Sequence, residues 1–202
     1  MPLFTLLITY VHVYIIIFPT DTVSTMTTDI YSNAVAFSPL GSVSYILTTT
    51  QLLMKPVGGG PSSVSVLAGQ SVSGFADGQG AAAKFNNPRG LVVHPLTGVA
   101  YITDHDNNRI RTCTAQGLVS TLAGSATSSN VDGVASIATF NGPVGIVMDP
   151  SSVFLYVTCD GSMTLRRVNV TSGFTTTLVS SGLGTPSYVD QGVRLLIWRN
   201  CS

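Results

Sequence analysis

An internal repeat dominates this sequence. Several short motifs occur twice, and each second copy lies 55 residues after the first, as Leu122 follows Leu67. The motifs are LAG at 67–69 and 122–124, DG at 77–78 and 132–133, FNNPRG and FNGPVG at 85–90 and 140–145, HP and DP at 94–95 and 149–150, and YIT and YVT at 101–103 and 156–158. Chance does not preserve one offset across five motifs, so the chain contains a repeated structural unit.

Each unit is predicted to contain four short strands. In the clearer copy they cover residues 91–94, 99–103, 109–113 and 118–122, and in the next copy 146–149, 154–158, 165–169 and 174–178. Gly98 and Gly117 lie in tight turns between strands, where glycine readily takes a positive φ. A weaker copy comes earlier, because Tyr45 lies 56 residues before Tyr101. Four antiparallel strands repeated at a fixed period are typical of β-propeller blades, which stack to bury their faces.

The composition agrees with an all-β fold and argues against one class of partner. Only 9% of the residues are charged, against a usual quarter, and 45% are hydrophobic. Helical proteins need more Glu, Lys and Arg for their exposed faces than this chain contains. Nine basic residues balance nine acidic ones. The basic surplus of a nucleic-acid-binding protein is therefore missing, and no nucleic-acid partner is expected.

The repeat motifs resemble the NHL-repeat β-propeller family. They are N-x-P-x-G at 86–90, YITD at 101–104, NNRIR at 107–111 and VSTLAG at 119–124. The resemblance covers about three repeats, of which the copy at 64–112 matches well. The next copy matches in its first half and then departs, with Cys159 in place of Asp104 and Thr164 in place of Arg109. The resemblance implies four-stranded NHL-like blades in an incomplete or open ring of about three to four blades.

This resemblance divides the chain into three parts: an apolar segment at 1–22, the propeller repeats at 23–182 and a degenerate tail at 183–202. A closed propeller needs about four to eight blades. We therefore expect a fragment of a longer protein, self-association that closes the ring, or an open arc.

Eight residues are predicted to serve the repeat structurally: Gly90, Tyr101, Asp104, Asn108, Arg109, Gly124, Gly145 and Tyr156. The two glycines at 90 and 145 are expected to let a blade's inner strand approach its neighbour closely. Asp104 and Arg109 could form a binding pair at the propeller mouth. The favoured interpretation is that Asp104 caps a turn while Arg109 binds it or nearby carbonyls, since the motif belongs to every blade.

No residue is predicted to be catalytic, to bind a cofactor or to bind a metal. The nucleophile elbow, the HExxH zinc motif and the phosphate-binding loop are all missing from the sequence. Asp104, His105 and Asp106 are consecutive, so their side chains should point in different directions rather than converge on a metal.

Members of the resembled family serve mostly as protein-interaction modules. The predicted function is therefore a non-catalytic NHL-repeat scaffold that binds another protein or another macromolecule. The alternative is a metal-dependent hydrolase or lyase of the six-bladed type, with its site in the central channel.

Features outside the repeat bear on location and covalent chemistry. Residues 3–18, from Leu3 to Phe18, carry no charge apart from His12, which suits a secretory signal, a membrane anchor or a pair of strands. A membrane-associated or secreted location is slightly favoured over the cytoplasm. Asn169 begins a sequon for N-glycosylation, as does Asn200. The three cysteines are read as small buried side chains, with a Cys113–Cys159 disulfide as the alternative.

Overall fold

The computed structural model describes residues 5–9, 12–16 and 32–180. Three short 3-10 helices, Pro61–Ser63, Gly80–Ala82 and His105–Asn107, interrupt an otherwise all-β structure. β1 (Thr5–Thr9) and β2 (His12–Ile16) form an antiparallel pair of their own within the apolar segment. The described residues include no helix with the length and apolar character to cross a bilayer. The predicted tail at 183–202 lies outside the described residues.

Three antiparallel sheets, which we call blades, follow one another along the chain. Blade 1 consists of β3 (Ala34–Phe37), β4 (Val43–Leu47), β5 (Gln51–Pro56) and β6 (Ser65–Gly69). Blade 2 consists of β7 (Gly78–Gln79), β8 (Pro88–Val93), β9 (Ala100–Asp104), β10 (Arg109–Cys113) and β11 (Leu118–Gly124). Blade 3 consists of β12 (Pro143–Met148), β13 (Phe154–Cys159), β14 (Thr164–Asn169) and β15 (Thr175–Val179).

This architecture confirms the predicted all-β, four-stranded units. β10 has the predicted bounds, whereas β8 and β12 begin three residues earlier than expected, at Pro88 and Pro143. The weak early copy also forms a complete blade. Its strands keep the apolar side chains that stacking requires even though the sequence motif is nearly lost.

The core consists of two apolar layers between successive blades. Leu47, Leu52 and Ala68 of blade 1 pack against Ile102 and Val119 of blade 2 in the first layer. The second layer joins blades 2 and 3 through a corresponding set of side chains: Tyr101, Ile110, Ala123, Ile146, Leu155, Val157 and Val168. Each sheet therefore depends on its neighbour for burial, as expected for blades that cannot be stable alone.

Two connectors fill the space between blades: residues 70–87 (connector 1) and residues 125–142 (connector 2). Each first reaches the outermost strand of the blade that follows it. In connector 1, Gly78 and Gln79 pair with β11, and in connector 2 Gly133 bridges to Thr175 of β15. Each then returns to the innermost strand and inserts a phenylalanine, Phe85 or Phe140, into the adjoining apolar layer, where both are fully buried.

The inner strands of blades 2 and 3 approach each other too closely for a side chain at Gly90. A Cβ atom there would lie 2.3 Å from the carbonyl oxygen of Val144 on β12. The Gly90 N–H instead donates to the Thr103 hydroxyl, which donates in turn to that same carbonyl, at 2.7 Å each. Gly145 holds the same position in blade 3, where its N–H donates to Thr158. The close approach predicted at Gly90 is therefore present.

Candidate functional site

A buried ion pair in blade 2 involves a different arginine from the one that the sequence suggested. Asp104 is fully buried and accepts a 2.6 Å hydrogen bond from the Arg111 guanidinium, whose side chain is also fully buried. It also accepts hydrogen bonds from the Asn86 N–H and the Asn107 amide. Arg109 donates to the Asn107 carbonyl and stacks over the Phe75 ring at 3.9 Å. Arg109 therefore binds one nearby carbonyl, and the Asp104 carboxylate pairs with Arg111 instead.

Arg111 attaches connector 1 to blade 2. Its guanidinium donates to the Asp77 carboxylate at 2.6 Å and to the carbonyls of Ala76 and Lys84. The Asp77 carboxylate in turn accepts the N–H and hydroxyl of Thr121 on β11. Burial raises the pKa of Asp104, against the lowering effects of the Asn107 and Asn86 hydrogen bonds and of the Arg111 charge. This network is fully used within the blade and leaves no group for a ligand.

Blade 3 repeats the arrangement 55 residues later with one change. Arg166 is fully buried and donates to Asp132 at 2.9 Å and to the carbonyls of Val131 and Thr139. Cys159 stands where blade 2 has its buried aspartate, and the Nε of Arg166 is buried without a hydrogen-bond partner. In the sequence, Asp77 and Asp132 stand out only as members of the repeated DG motif. The matching spacing of Arg111 and Arg166 was the signal that could have revealed these two attachments.

Acid is expected to weaken the attachment of connector 2. Partial burial acts to raise the pKa of Asp132, but hydrogen bonds from the N–H and hydroxyl of Thr177 and the charge of Arg166 outweigh it and lower that pKa. An aspartate with a lowered folded-state pKa stabilises the fold above its unfolded pKa of about 3.9, and this contribution is lost as the pH falls through the folded value. Urea unfolding of the wild type and of Asp132→Asn, measured from about pH 6 down to about pH 2, should show the steeper acid loss in the wild type. Equal acid slopes would contradict this expectation.

Polar side chains of blades 2 and 3 meet at two neighbouring turns, the turn between β9 and β10 and the turn between β13 and β14. His105 Nε2 lies 3.1 Å from Asp160 Oδ1, and its Nδ1 contacts the Asp106 carboxylate. His105 and Asp160 are 55 residues apart and so hold the same position in successive blades. The histidine side chain is 17% exposed, whereas Asp106 and Asp160 are 42% and 55% exposed. The imidazole therefore bridges two carboxylates that remain open to solvent.

Amide side chains fix the backbone around this bridge. The Gly142 N–H donates to the Asn108 side chain at 3.0 Å, joining connector 2 to a residue of blade 2 in the left-handed conformation. Asn87 donates to Asp106, and Asn141 donates to the Gly161 carbonyl. We call this set the turn face: Asn87, His105, Asp106, Asn108, Asn141 and Asp160. It spans two blades, and the exposed carboxylates of Asp106 and Asp160 belong to it.

The turn face offers binding chemistry. His105 contacts one carboxylate through each of its two ring nitrogens. Among the described residues, no group of three or more His, Cys, Asp or Glu side chains is placed to hold a metal ion. Asp104 is buried within the blade, whereas His105 and Asp106 contact each other at its end, so the expected divergence holds for Asp104 alone.

The remaining predicted residues serve the blades. Tyr101 is buried between blades 2 and 3, and this burial raises its pKa, while Tyr156 is half-buried in blade 3. Gly124 has a φ of +103°, and a Cβ there would lie 2.5 Å from the Asn108 carbonyl oxygen.

Cys113 and Cys159 are both free and buried, so they form no disulfide with each other. Burial raises the pKa of the Cys113 thiol to about 12, which keeps it protonated and unreactive.

Sequence comparison gives no family for this chain. No protein-family model matches it, and no curated protein matches it either.

Solved structures share its architecture. An auxiliary nutrient binding protein from Bacteroides thetaiotaomicron is 23% identical, with a TM-score of 0.56 over 73% of this chain and 40% of that chain. A structure of the nidogen/laminin complex is 19% identical, with a TM-score of 0.51 over 75% of this chain and 49% of that chain. Virginiamycin B lyase from Staphylococcus aureus is 14% identical, with a TM-score of 0.53 over 83% of this chain and 48% of that chain.

These likenesses concern the fold alone. The chain spans less than half the length of each of these three structures. Its three blades match part of a six-bladed β-propeller, an architecture that binding proteins and lyases share.

Proposed function

We propose that this protein is a non-catalytic propeller scaffold of the NHL-repeat type that binds another protein through the turn face. The observation that carries the proposal is the bridge from His105 to Asp160, which holds two exposed carboxylates side by side across two blades. Arg111, Arg166 and Asp104 are fully buried, and the half-exposed Asp77 and Asp132 each pair with one of these arginines. The carboxylates of the turn face pair with no arginine in the described part of the chain, which leaves them open to a partner. The fold is shared with a nutrient-binding protein and with a structure of a nidogen/laminin complex.

The chemistry of the turn face indicates what its partner presents. Asp106 and Asp160 are acceptors when ionised, and the carboxylates point outward. A partner surface with Lys or Arg side chains would place donors opposite them. Complementary charges of this kind contribute to specificity and to the association rate.

The test compares two charge-matched variants. Asp160→Asn removes one carboxylate from the turn face, and Asp149→Asn removes one from the turn between β12 and β13, at the opposite end of the blade. Partners captured by the wild-type protein are identified and their affinities measured by calorimetry. We expect Asp160→Asn to weaken binding about tenfold or more, which corresponds to about 1.4 kcal/mol, and Asp149→Asn to leave it unchanged.

Two outcomes would contradict the proposal. If Asp160→Asn and Asp149→Asn bound the partner with equal affinity, the turn face would not be the binding surface. Hydrolase or lyase turnover that the wild type shows and Asp160→Asn loses would favour the enzymatic alternative.

A further inference from the structure

The turn between β14 and β15 contains the sequence Asn169-Val170-Thr171, a consensus acceptor for N-linked glycans. Asn169 is the last residue of β14, and Thr171 in the following turn is exposed. The Asn169 side chain is oriented by hydrogen bonds that all end on its Oδ1 atom. Asn169 Oδ1 accepts from the N–H of Thr171 at 3.0 Å and from the N–H and hydroxyl of Ser172 at 2.9 and 3.0 Å.

This arrangement turns the nitrogen of the amide away from the protein. Because three donors converge on Oδ1, the positions of oxygen and nitrogen in this side chain are fixed by its surroundings. Nδ2 makes no hydrogen bond within the described part of the chain, and it is not among the buried polar atoms there that lack a partner. The atom to which a glycan would be attached is therefore open to solvent in the folded protein.

The repeat does not require an asparagine at this position. In blade 2 the same repeat position is Thr114, whose hydroxyl accepts the Leu118 N–H and closes the corresponding turn. That turn is one residue shorter than the turn in blade 3, since the Thr114 N–H donates to the Leu118 carbonyl and the Asn169 N–H to the Phe174 carbonyl. The sequon is an addition in blade 3 that the repeat does not explain.

We propose that Asn169 is an N-glycosylation site and that the protein carries its glycan on the end of blade 3 opposite the turn face. Transfer forms a bond between Nδ2 and the anomeric carbon of a lipid-pyrophosphate-linked oligosaccharide. The bond from that carbon to the pyrophosphate oxygen breaks, its electron pair stays on the phosphate, and one amide proton passes to solvent. The five residue steps from Thr164 to Asn169 along β14 correspond to about 17 Å. The attachment point therefore lies at the other end of the strand from Asp160, and the inference stands independently of the proposed binding function.

The experiment expresses the full chain behind a cleavable secretory leader in cultured human cells and treats the total lysate with peptide-N-glycosidase. Asn200→Gln is included throughout so that only one sequon remains. We expect one enzyme-sensitive band shift, with Asn169 converted to aspartate in the peptide mass spectrum. Asn169→Asp and Thr171→Ala should both abolish the shift.

The first variant is a matched control for folding, because an aspartate keeps the acceptor oxygen for the Thr171 and Ser172 donors. A chain that loses its leader, and has therefore entered the secretory route, but stays unmodified at Asn169 would overturn the proposal. So would a shift that persists in both variants.

Discussion

Asp104→Ala is expected to unfold the protein or to leave it barely stable. The Asp104 carboxylate and the Arg111 guanidinium are both fully buried and 2.6 Å apart, so removal of the acid leaves an arginine charge out of contact with water. The Asn86 N–H and the Asn107 amide lose their acceptor at the same time. Breaking a buried ion pair from one side costs about 3–5 kcal/mol. A typical domain has about 5–15 kcal/mol in total, so urea unfolding followed by circular dichroism should show a large loss.

Cys159→Ala supplies the control, because Cys159 holds the same repeat position in blade 3 and is also buried. It removes one sulfur and no charge, so we expect a loss of about 1 kcal/mol, the common size for a point substitution. Comparable losses for the two variants would mean that the Asp104 carboxylate contributes no more than its volume. In Asp104→Ala, Arg111 still contacts one carboxylate, that of Asp77. Asp77 is itself half-exposed and accepts a hydrogen bond from Thr121.

The blades were predictable because their signal is local and repeated. Each strand is a short apolar run, and the turns contain glycines at fixed positions, such as Gly98 and Gly117 with φ of +72° and +86°. The stacking of blades follows from the same pattern, since a sheet that is apolar on both faces must be covered on both. Blade 1 shows that this pattern outlasts the motif. Leu47 and Leu52 are fully buried although little else of the repeat consensus remains there.

The polar contacts were harder to predict because they join residues far apart in the chain. Arg109 is close to Asp104 in sequence, which favoured it as a partner, yet Arg111 occupies the buried position and also reaches Asp77, 34 residues earlier. The turn face is non-local in the same way, since His105 meets Asp160 only when two blades stack. Equal repeat positions become neighbours in successive blades, and that rule, applied to the 55-residue spacing, would have placed these two side chains together.

Phe140→Ala is expected to separate connector 2 from the layer between blades 2 and 3. The Phe140 ring is fully buried, and the Arg166 guanidinium lies 5.1 Å from its centroid. It also packs against Gly124, where a Cβ would come within 3.0 Å of the ring. Truncation of a buried phenylalanine to alanine costs about 3–5 kcal/mol, through lost burial and the cavity that remains. Phe85→Ala in connector 1 should cost a similar amount, since that ring is also fully buried between blades.

Phe75→Ala distinguishes this explanation from a general sensitivity of the connectors. Phe75 lies in connector 1, is 46% exposed and packs under Arg109 at 3.9 Å, so we expect its loss to cost only about 0.5–1 kcal/mol. Urea unfolding measures the loss of unfolding free energy in each variant, and hydrogen exchange shows which amides lose protection. In Phe140→Ala the amides of connector 2 and β15 should lose protection first, because Gly133 and Thr175 exchange two hydrogen bonds there. If Phe140→Ala cost no more than the small loss expected of Phe75→Ala, the blades would be held together by their strands alone, and connector 2 would not be part of the core. Equal and large losses would instead mean that the connectors are sensitive at exposed and buried positions alike.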